Sequence, residues 1–195
     1  MSKKGIRLVP RGDAFAQLVD HSMAKGWDLE KAVGRDPERG LDGEITYRLP
    51  SGGTRAYLRD DLFVGFPYYV VVGPDQERAA AELRAALDVH APDELLAMWD
   101  RAAQDGDVDG QVDAVLFLGV ASPEREDPEI LSRIRAGLRD EDKDVRNAAV
   151  AATAYADWRA FRPDLQAVAV ADPDAKARER ARFVLDGWAR EDGSS

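Results

Sequence analysis

The second half of this chain repeats itself with a period of about 33 residues, and no other feature of the sequence constrains the fold as much. Residues 107–112, 140–145 and 172–177 align with one another at offsets of 33 and 32, and each begins with the triplet Asp-x-Asp. An apolar helical stretch follows each segment, and another helical stretch precedes it. Because one helix pair cannot bury its own apolar face, this repeat predicts helix pairs stacked on one another.

The middle repeat carries the most regular motif of the three. Residues 138–149 read Leu-Arg-Asp-Glu-Asp-Lys-Asp-Val-Arg-Asn-Ala-Ala, which resembles the turn and second helix of a HEAT repeat. The resemblance extends over about residues 93–190. In that family the turn aspartate and the Val-Arg pair hold adjacent units together. The resemblance therefore assigns this role to Asp142, Val145 and Arg146.

The outer repeats keep this motif only in part. The last repeat has Asp174 and Arg178 at the matching positions, with Ala177 in place of the valine. The first repeat has Asp113 where the arginine is expected. Degenerate outer units are what capping of a short stack predicts.

The resemblance also indicates where a partner would bind, because HEAT-like arrays generally grip proteins with the concave face formed by their second helices. Within residues 145–156 only Arg146, Asn147 and Thr153 are clearly polar, so this helix should be buried on most sides. Trp158 has two interpretations, an aromatic anchor for a partner or a cap on the core. The positions implied for partner contact are Asp113, Asn147, Trp158 and Glu179.

The first third of the chain has the pattern of a small α+β unit. Asp13 is expected to cap a helix that ends at Gly26. A short second helix is expected over Leu29–Val33. Alternating apolar residues and a glycine-rich turn predict a meander of about three strands, and Ile6–Val9 is a candidate edge strand. The apolar stripe expected on the first helix consists of Phe15, Leu18, Val19 and Met23.

These patterns together predict an α+β fold. Residues 1–74 should form the small α+β unit with a short antiparallel sheet. Residues 75–195 should form an all-α, HEAT-like stack of about three helix pairs.

Charge is distributed unevenly between the two parts of the chain. Residues 1–73 contain 11 basic and 10 acidic residues, whereas residues 74–195 contain 16 basic and 27 acidic residues. An acidic second half repels phosphate backbones, so we expect no nucleic-acid partner. It suits a basic protein partner, although acidic surface that only keeps a protein in solution is the alternative interpretation.

Few residues suggest chemistry. The chain has no cysteine and two histidines, of which His21 lies off the apolar stripe and is expected to face solvent. The segment from Asp105 to Val112 resembles the opening of a calcium loop, but Leu116 occupies the position that requires a bidentate glutamate. Helix capping by aspartates explains the same spacing in all three repeats. We therefore expect no metal, no cofactor and no catalytic residue.

The sequence also bears on location. No apolar run approaches the roughly 20 residues that span a bilayer, so we expect no membrane partner. No apolar signal core follows the first residues, and the expected compartment is the cytoplasm.

The resulting hypothesis is a non-catalytic protein-interaction module, a HEAT-like adaptor or inhibitor that binds a basic protein. A specific version is an immunity-type protein that neutralises a toxin. The alternatives are a HEAT-like enzyme, by resemblance a tetrapyrrole lyase or a DNA glycosylase, and a structural subunit that self-associates through an edge strand.

Overall fold

The computed structural model describes residues 5–50 and 52–193, which form two compact units. The first, here called the strand unit, ends at Ala91, and the second, the helical unit, begins at Pro92. The change of sequence pattern at residue 74 thus precedes the boundary between the units. The intervening helix belongs to the strand unit, as its core shows.

The strand unit is built on one antiparallel sheet of five strands in the order β1-β5-β4-β3-β2. Two helices accompany it, α1 (Ala14–Lys25) and α2 (Gln76–Ala86). The strands are β1 (Ile6–Leu8), β2 (Asp28–Val33), β3 (Gly43–Arg48), β4 (Arg55–Asp60) and β5 (Pro67–Val72).

The core of the strand unit lies on one face of the sheet. Strand pairing aligns Tyr47, Ala56 and Val71 in one row across β3, β4 and β5, and all three are buried. Helix α2 adds Ala80 and Leu83 to this core, and both side chains are fully buried. Because its apolar face is buried here, α2 packs on the sheet of the strand unit.

Helix α1 forms where the sequence predicts it, but with a different face inward. The Asp13 carboxylate accepts from the Ala16 backbone N–H at 3.0 Å, and Gly26 ends the helix in the left-handed region with φ of 64°. The inward row is Ala14, Leu18 and Ser22. The predicted stripe is therefore wrong at its ends, since Phe15 is 54% and Met23 is 76% exposed.

The segment Leu29–Val33 is a strand, so the predicted second helix is wrong. It belongs to β2, which pairs antiparallel with β3 and is exposed at all six positions. A strand with one buried face shows alternating apolar and polar residues in its sequence. All residues of β2 are exposed, so this segment lacks the alternation that would predict a strand. Pairing with β3 supplies backbone hydrogen bonds that a helix of this length could not match.

The helical unit consists of three helix pairs, which confirms the predicted all-α stack. Helix α3 packs on α4, α5 on α6, and α7 on α8, while α4, α6 and α8 lie side by side. The helices are α3 (Pro92–Asp105), α4 (Val108–Ala121), α5 (Pro128–Leu138), α6 (Lys143–Ala156), α7 (Arg162–Ala171) and α8 (Ala175–Gly193).

Helix α6 is the centre of this stack. Every residue in 145–153 is buried, as the nearly all-apolar sequence predicts. Its neighbour α4 approaches so closely that a Cβ at Gly119 would lie 2.5 Å from the Cα of Ala152. Small residues on both helices therefore set the distance between successive helix pairs.

Candidate protein-interaction surface

Successive helix pairs are joined by an ion pair in the interior. The Arg146 guanidinium binds Asp172 through two hydrogen bonds of 2.8 and 3.1 Å, and the two side chains are only 10% and 4% exposed. The same guanidinium donates to the carbonyls of Asp140 and Glu141 at 3.0 and 2.8 Å. Arg146 thus ties the turn before α6 to the turn before α8.

The next repeat reproduces part of this arrangement. Arg178 donates to the carbonyls of Asp172 and Pro173 at 2.6 and 3.1 Å, six and five residues earlier, as Arg146 does. Asp174 accepts from the Ala177 backbone N–H at 2.9 Å. Asp142 likewise accepts from the Val145 N–H, although this contact is longer at 3.4 Å.

Electrostatic interactions keep the buried pair of Arg146 and Asp172 ionised. Burial alone would raise the pKa of Asp172, but hydrogen bonds from Arg146 and from the Asp174 backbone N–H reverse the effect and lower it. The neighbouring Arg146 has a raised pKa, chiefly because of the same hydrogen bonds to Asp172. Both partners are therefore charged at neutral pH.

The first repeat has a different register from the one that the sequence alignment predicts. Asp107 caps α4 by accepting from the Gly110 N–H at 3.0 Å, so it corresponds to Asp142 and not to Asp140. With this register Gln111 stands in the place of Arg146. Its side chain donates to the next turn, reaching the Asp140 carboxylate at 3.1 Å.

Asp113 is therefore not the counterpart of the arginine, and that prediction is wrong. The Asp-x-Asp triplet beginning at Asp105 is the signal that gives the correct alignment, because its second aspartate is the helix cap. The alignment predicted here begins instead with the triplet at Asp107.

Two of the positions implied for partner contact lie inside the helical unit. Asn147 is 6% exposed, and its side-chain amide donates to Asp174 at 2.9 Å and to the Lys143 carbonyl at 2.8 Å. Trp158 is 3% exposed, stacks on Phe161 and donates to a backbone carbonyl at 3.1 Å. Both side chains are used in packing between the helix pairs.

The other two positions, Asp113 and Glu179, are exposed. Asp113 belongs to an acidic group that we call the acidic turn, formed by Asp105 at the end of α3 and by Asp107, Asp109 and Asp113 at the start of α4. All four residues are exposed. Partial burial, then the charges of Asp109 and Asp107, raise the pKa of Asp113. The like charges thus repel one another.

The acidic excess is concentrated around this turn. Residues 1–91 contain 13 basic and 14 acidic residues, so the first part of the chain is nearly neutral. Residues 92–129 contain 2 basic and 11 acidic residues, whereas residues 130–195 contain 12 of each. The whole net charge of residues 92–195 therefore resides in residues 92–129, which comprise the first helix pair, the loop that follows it and the first two residues of α5.

No arrangement typical of metal binding accompanies these acids. Within residues 5–50 and 52–193, no cluster of three or more histidine, aspartate or glutamate side chains is placed to hold a metal ion. Asp107 uses one carboxylate oxygen to cap α4.

The histidines differ in their surroundings. The prediction that His21 faces solvent is wrong, since its side chain is 9% exposed and meets Trp27 edge to face at 5.1 Å. His90 accepts through Nδ1 from Arg11 at 3.3 Å.

One cleft lies in the strand unit. It has a volume of about 330 Å³ and lies between the start of α1 and the end of β2, over Ile45 and Leu58. Arg35 and Asp60 form an ion pair of 3.0 Å at its rim. The cleft carries charges of both signs and indicates no particular ligand.

No known protein family, curated protein or solved structure matches this chain. Among the helices of the described residues, none is both long and apolar enough to cross a bilayer.

Proposed function

We propose that the helical unit is a HEAT-like, non-catalytic protein-interaction module, and that its acidic turn binds a basic surface of a protein partner. The observation that carries this proposal is the concentration of charge, 11 acidic against 2 basic residues, in residues 92–129. A stack of helix pairs supplies a rigid platform for such a surface.

The acidic turn is suited to a cationic partner because its charges are not neutralised within the described chain. Among residues 5–50 and 52–193, no basic side chain forms a salt bridge with Asp105, Asp109 or Asp113. The raised pKa of Asp113 reflects in part repulsion from the neighbouring carboxylates. A lysine or arginine from a partner would relieve that repulsion and would be steered to this surface by its field.

The same charge disfavours one of the alternatives, a nucleic-acid enzyme. A nucleic-acid enzyme such as a glycosylase needs a basic face to hold phosphates, whereas residues 92–129 are strongly acidic. The net charge of residues 130–195 is zero, so that region offers no compensating basic excess.

Affinity capture from the native host with matched variants tests the proposal. The test variant carries Asp105→Asn, Asp109→Asn and Asp113→Asn. The control carries Asp20→Asn, Asp144→Asn and Asp186→Asn, three exposed acids outside the acidic turn. Both variants change the net charge equally, so any difference between them reports the location of the charge.

We expect the wild-type chain and the control to capture the same basic protein at low salt, and the test variant to lose it. High salt should weaken the capture, since the contact is an exposed electrostatic one. Equal loss from both variants would show that capture depends on the net charge of the chain and not on the acidic turn, which would also contradict the proposal. A partner that all three proteins retain would contradict the proposal. If the captured protein is a nucleic-acid-cleaving toxin, the chain acts as an immunity-type inhibitor.

A further inference from the structure

Strand β2 forms an open edge of the sheet. It is the last strand in the order β1-β5-β4-β3-β2, and among the described residues only β3 pairs with it. All six of its residues are exposed, whereas the opposite edge strand, β1, has only three residues. Its outer side therefore presents a row of backbone N–H and C=O groups that another strand could pair with.

Apolar side chains accompany this edge. Leu29 and Val33 of β2 are 58% and 44% exposed, and Leu41, in the connection to β3, is 42% exposed. Leu29 pairs with Tyr47 and Val33 with Glu44, so the two side chains lie on opposite faces of the sheet and border the edge on both sides.

Two opposite charges, Glu30 and Lys31, are neighbours at the middle of β2. Glu30 binds Arg55 at 2.6 Å and Arg48 at 3.3 Å, while Lys31 binds Glu44 at 2.9 Å. The three partners lie on the sheet face that points away from the core, because they alternate with core residues along β3 and β4.

The irregular pairing of β2 explains how two successive residues reach that one face. The register between β2 and β3 shifts between Leu29 and Lys31, so Glu30 is the extra residue of a β-bulge. In a regular strand the side chains of Glu30 and Lys31 would point to opposite faces. Here both side chains find ion-pair partners on the same face.

We propose that this edge is a dimerisation surface, where β2 of a second copy of the chain pairs antiparallel with β2. A twofold axis between residues 30 and 31 places Glu30 opposite Lys31 of the second copy, and Leu29 opposite Ala32 of the second copy. Both charge pairs then lie on one face and extend the ladder of ion pairs already present across β2, β3 and β4. The near-neutral charge of residues 1–91 adds little repulsion to such an approach.

Sedimentation equilibrium of the full chain at high micromolar concentration and low salt tests the proposal. We expect a reversible dimer for the wild-type chain. Lys31→Glu places like charges opposite each other and should raise the dimer dissociation constant about tenfold or more. Glu30→Lys should do the same. An equal mixture of the two variants should form a heterodimer, because each glutamate again faces a lysine.

Lys25→Glu is the matched control for the charge change. Lys25 also binds a single glutamate, Glu82, at 2.8 Å and is 49% exposed, close to the 51% of Lys31. It is the last residue of α1 and binds a residue of α2, so it is not part of β2, and its replacement should leave the dimer unchanged. Circular dichroism of every variant checks that the fold is retained, and the heterodimer test works even if each variant is somewhat less stable.

A chain that remains monomeric at the highest concentration would overturn the proposal, even if a foreign extended peptide bound at this edge. A dimer that survives Lys31→Glu as well as it survives Lys25→Glu would overturn it too, because the two copies would then meet elsewhere. Failure of the mixed variants to associate, with both folded, would have the same meaning.

Discussion

A buried ion pair links the second and third helix pairs of the helical unit. Arg146 and Asp172 are both nearly inaccessible, and each has further hydrogen bonds that hold it in place. Removing one partner of such a pair leaves the other charge buried without compensation. The pair therefore matters to stability more through the cost of breaking it than through the attraction itself.

Arg146→Ala should destabilise the chain by about 3 kcal/mol, because it strands the buried Asp172 carboxylate. The control is Arg133→Ala, which removes a comparable two-bond pair with Asp100, but one in which the aspartate is 54% exposed. That change should cost only about 0.5 kcal/mol. Urea denaturation of the two variants measures the difference, and equal losses would contradict the assigned role of Arg146.

His21 is a buried side chain with an unsatisfied nitrogen. Its Nε2 atom has no hydrogen-bond partner and lies 3.8 Å from the Glu82 carboxylate. Burial lowers the pKa of His21, and the opposing effect of Glu82 is smaller. His21 therefore binds a proton less readily in the folded chain than in the unfolded chain.

Stability should therefore decrease as the pH falls below about 6.5, the ordinary pKa of histidine. His21→Phe keeps a ring against Trp27 and removes the unsatisfied nitrogen. We expect this variant to gain about 1 kcal/mol at neutral pH and to lose less stability on acidification. Thermal unfolding from pH 7 to pH 5 measures both effects. A variant with the wild-type pH dependence would show that another group is responsible.

At the scale of elements, the contact between α4 and α6 sets the spacing of the stack. The backbone of Ala152 occupies the space that a side chain at position 119 would need, so this position requires glycine. Backbone atoms cannot turn aside as a flexible side chain can, and a larger residue must push the two helices apart.

Gly119→Ala should accordingly destabilise the chain by about 2 kcal/mol through overpacking. Gly187→Ala on α8 is the control, since the nearest atom to its added Cβ is the end of the Arg190 side chain at 4.0 Å. That change should stabilise the helix by about 1 kcal/mol, the usual preference of a helix interior for alanine over glycine. Opposite signs in denaturant unfolding support the account, and two neutral results would contradict it.

The sequence predicted those elements whose apolar residues recur with a regular spacing. The three helix pairs followed from the repeat, and the burial of α6 followed from its almost wholly apolar residues. Strand β2 escaped prediction because none of its side chains is buried, so its fold depends on pairing with β3. The register of the first repeat was missed because Gln111, not an arginine, makes the connecting hydrogen bond.

At the scale of the whole molecule, the chain combines a nearly neutral strand unit with a helical unit whose net negative charge comes from its first third. Residues 130–195 are neutral overall because they contain equal numbers of basic and acidic residues, and some of these pair within the stack, as Arg146 does with Asp172. The acids of the acidic turn have no such role, apart from the helix cap made by Asp107. Their charge is available to a partner.

Hydrogen–deuterium exchange of the chain with its captured partner tests this account most directly. Binding should slow exchange in residues 105–113 and in the loop at 122–127, and the effect should fade as salt rises. The control variant with Asp20, Asp144 and Asp186 neutralised should show the same protection. Protection confined to the strand unit or to residues 130–193, with residues 105–113 exchanging as in the free chain, would contradict it.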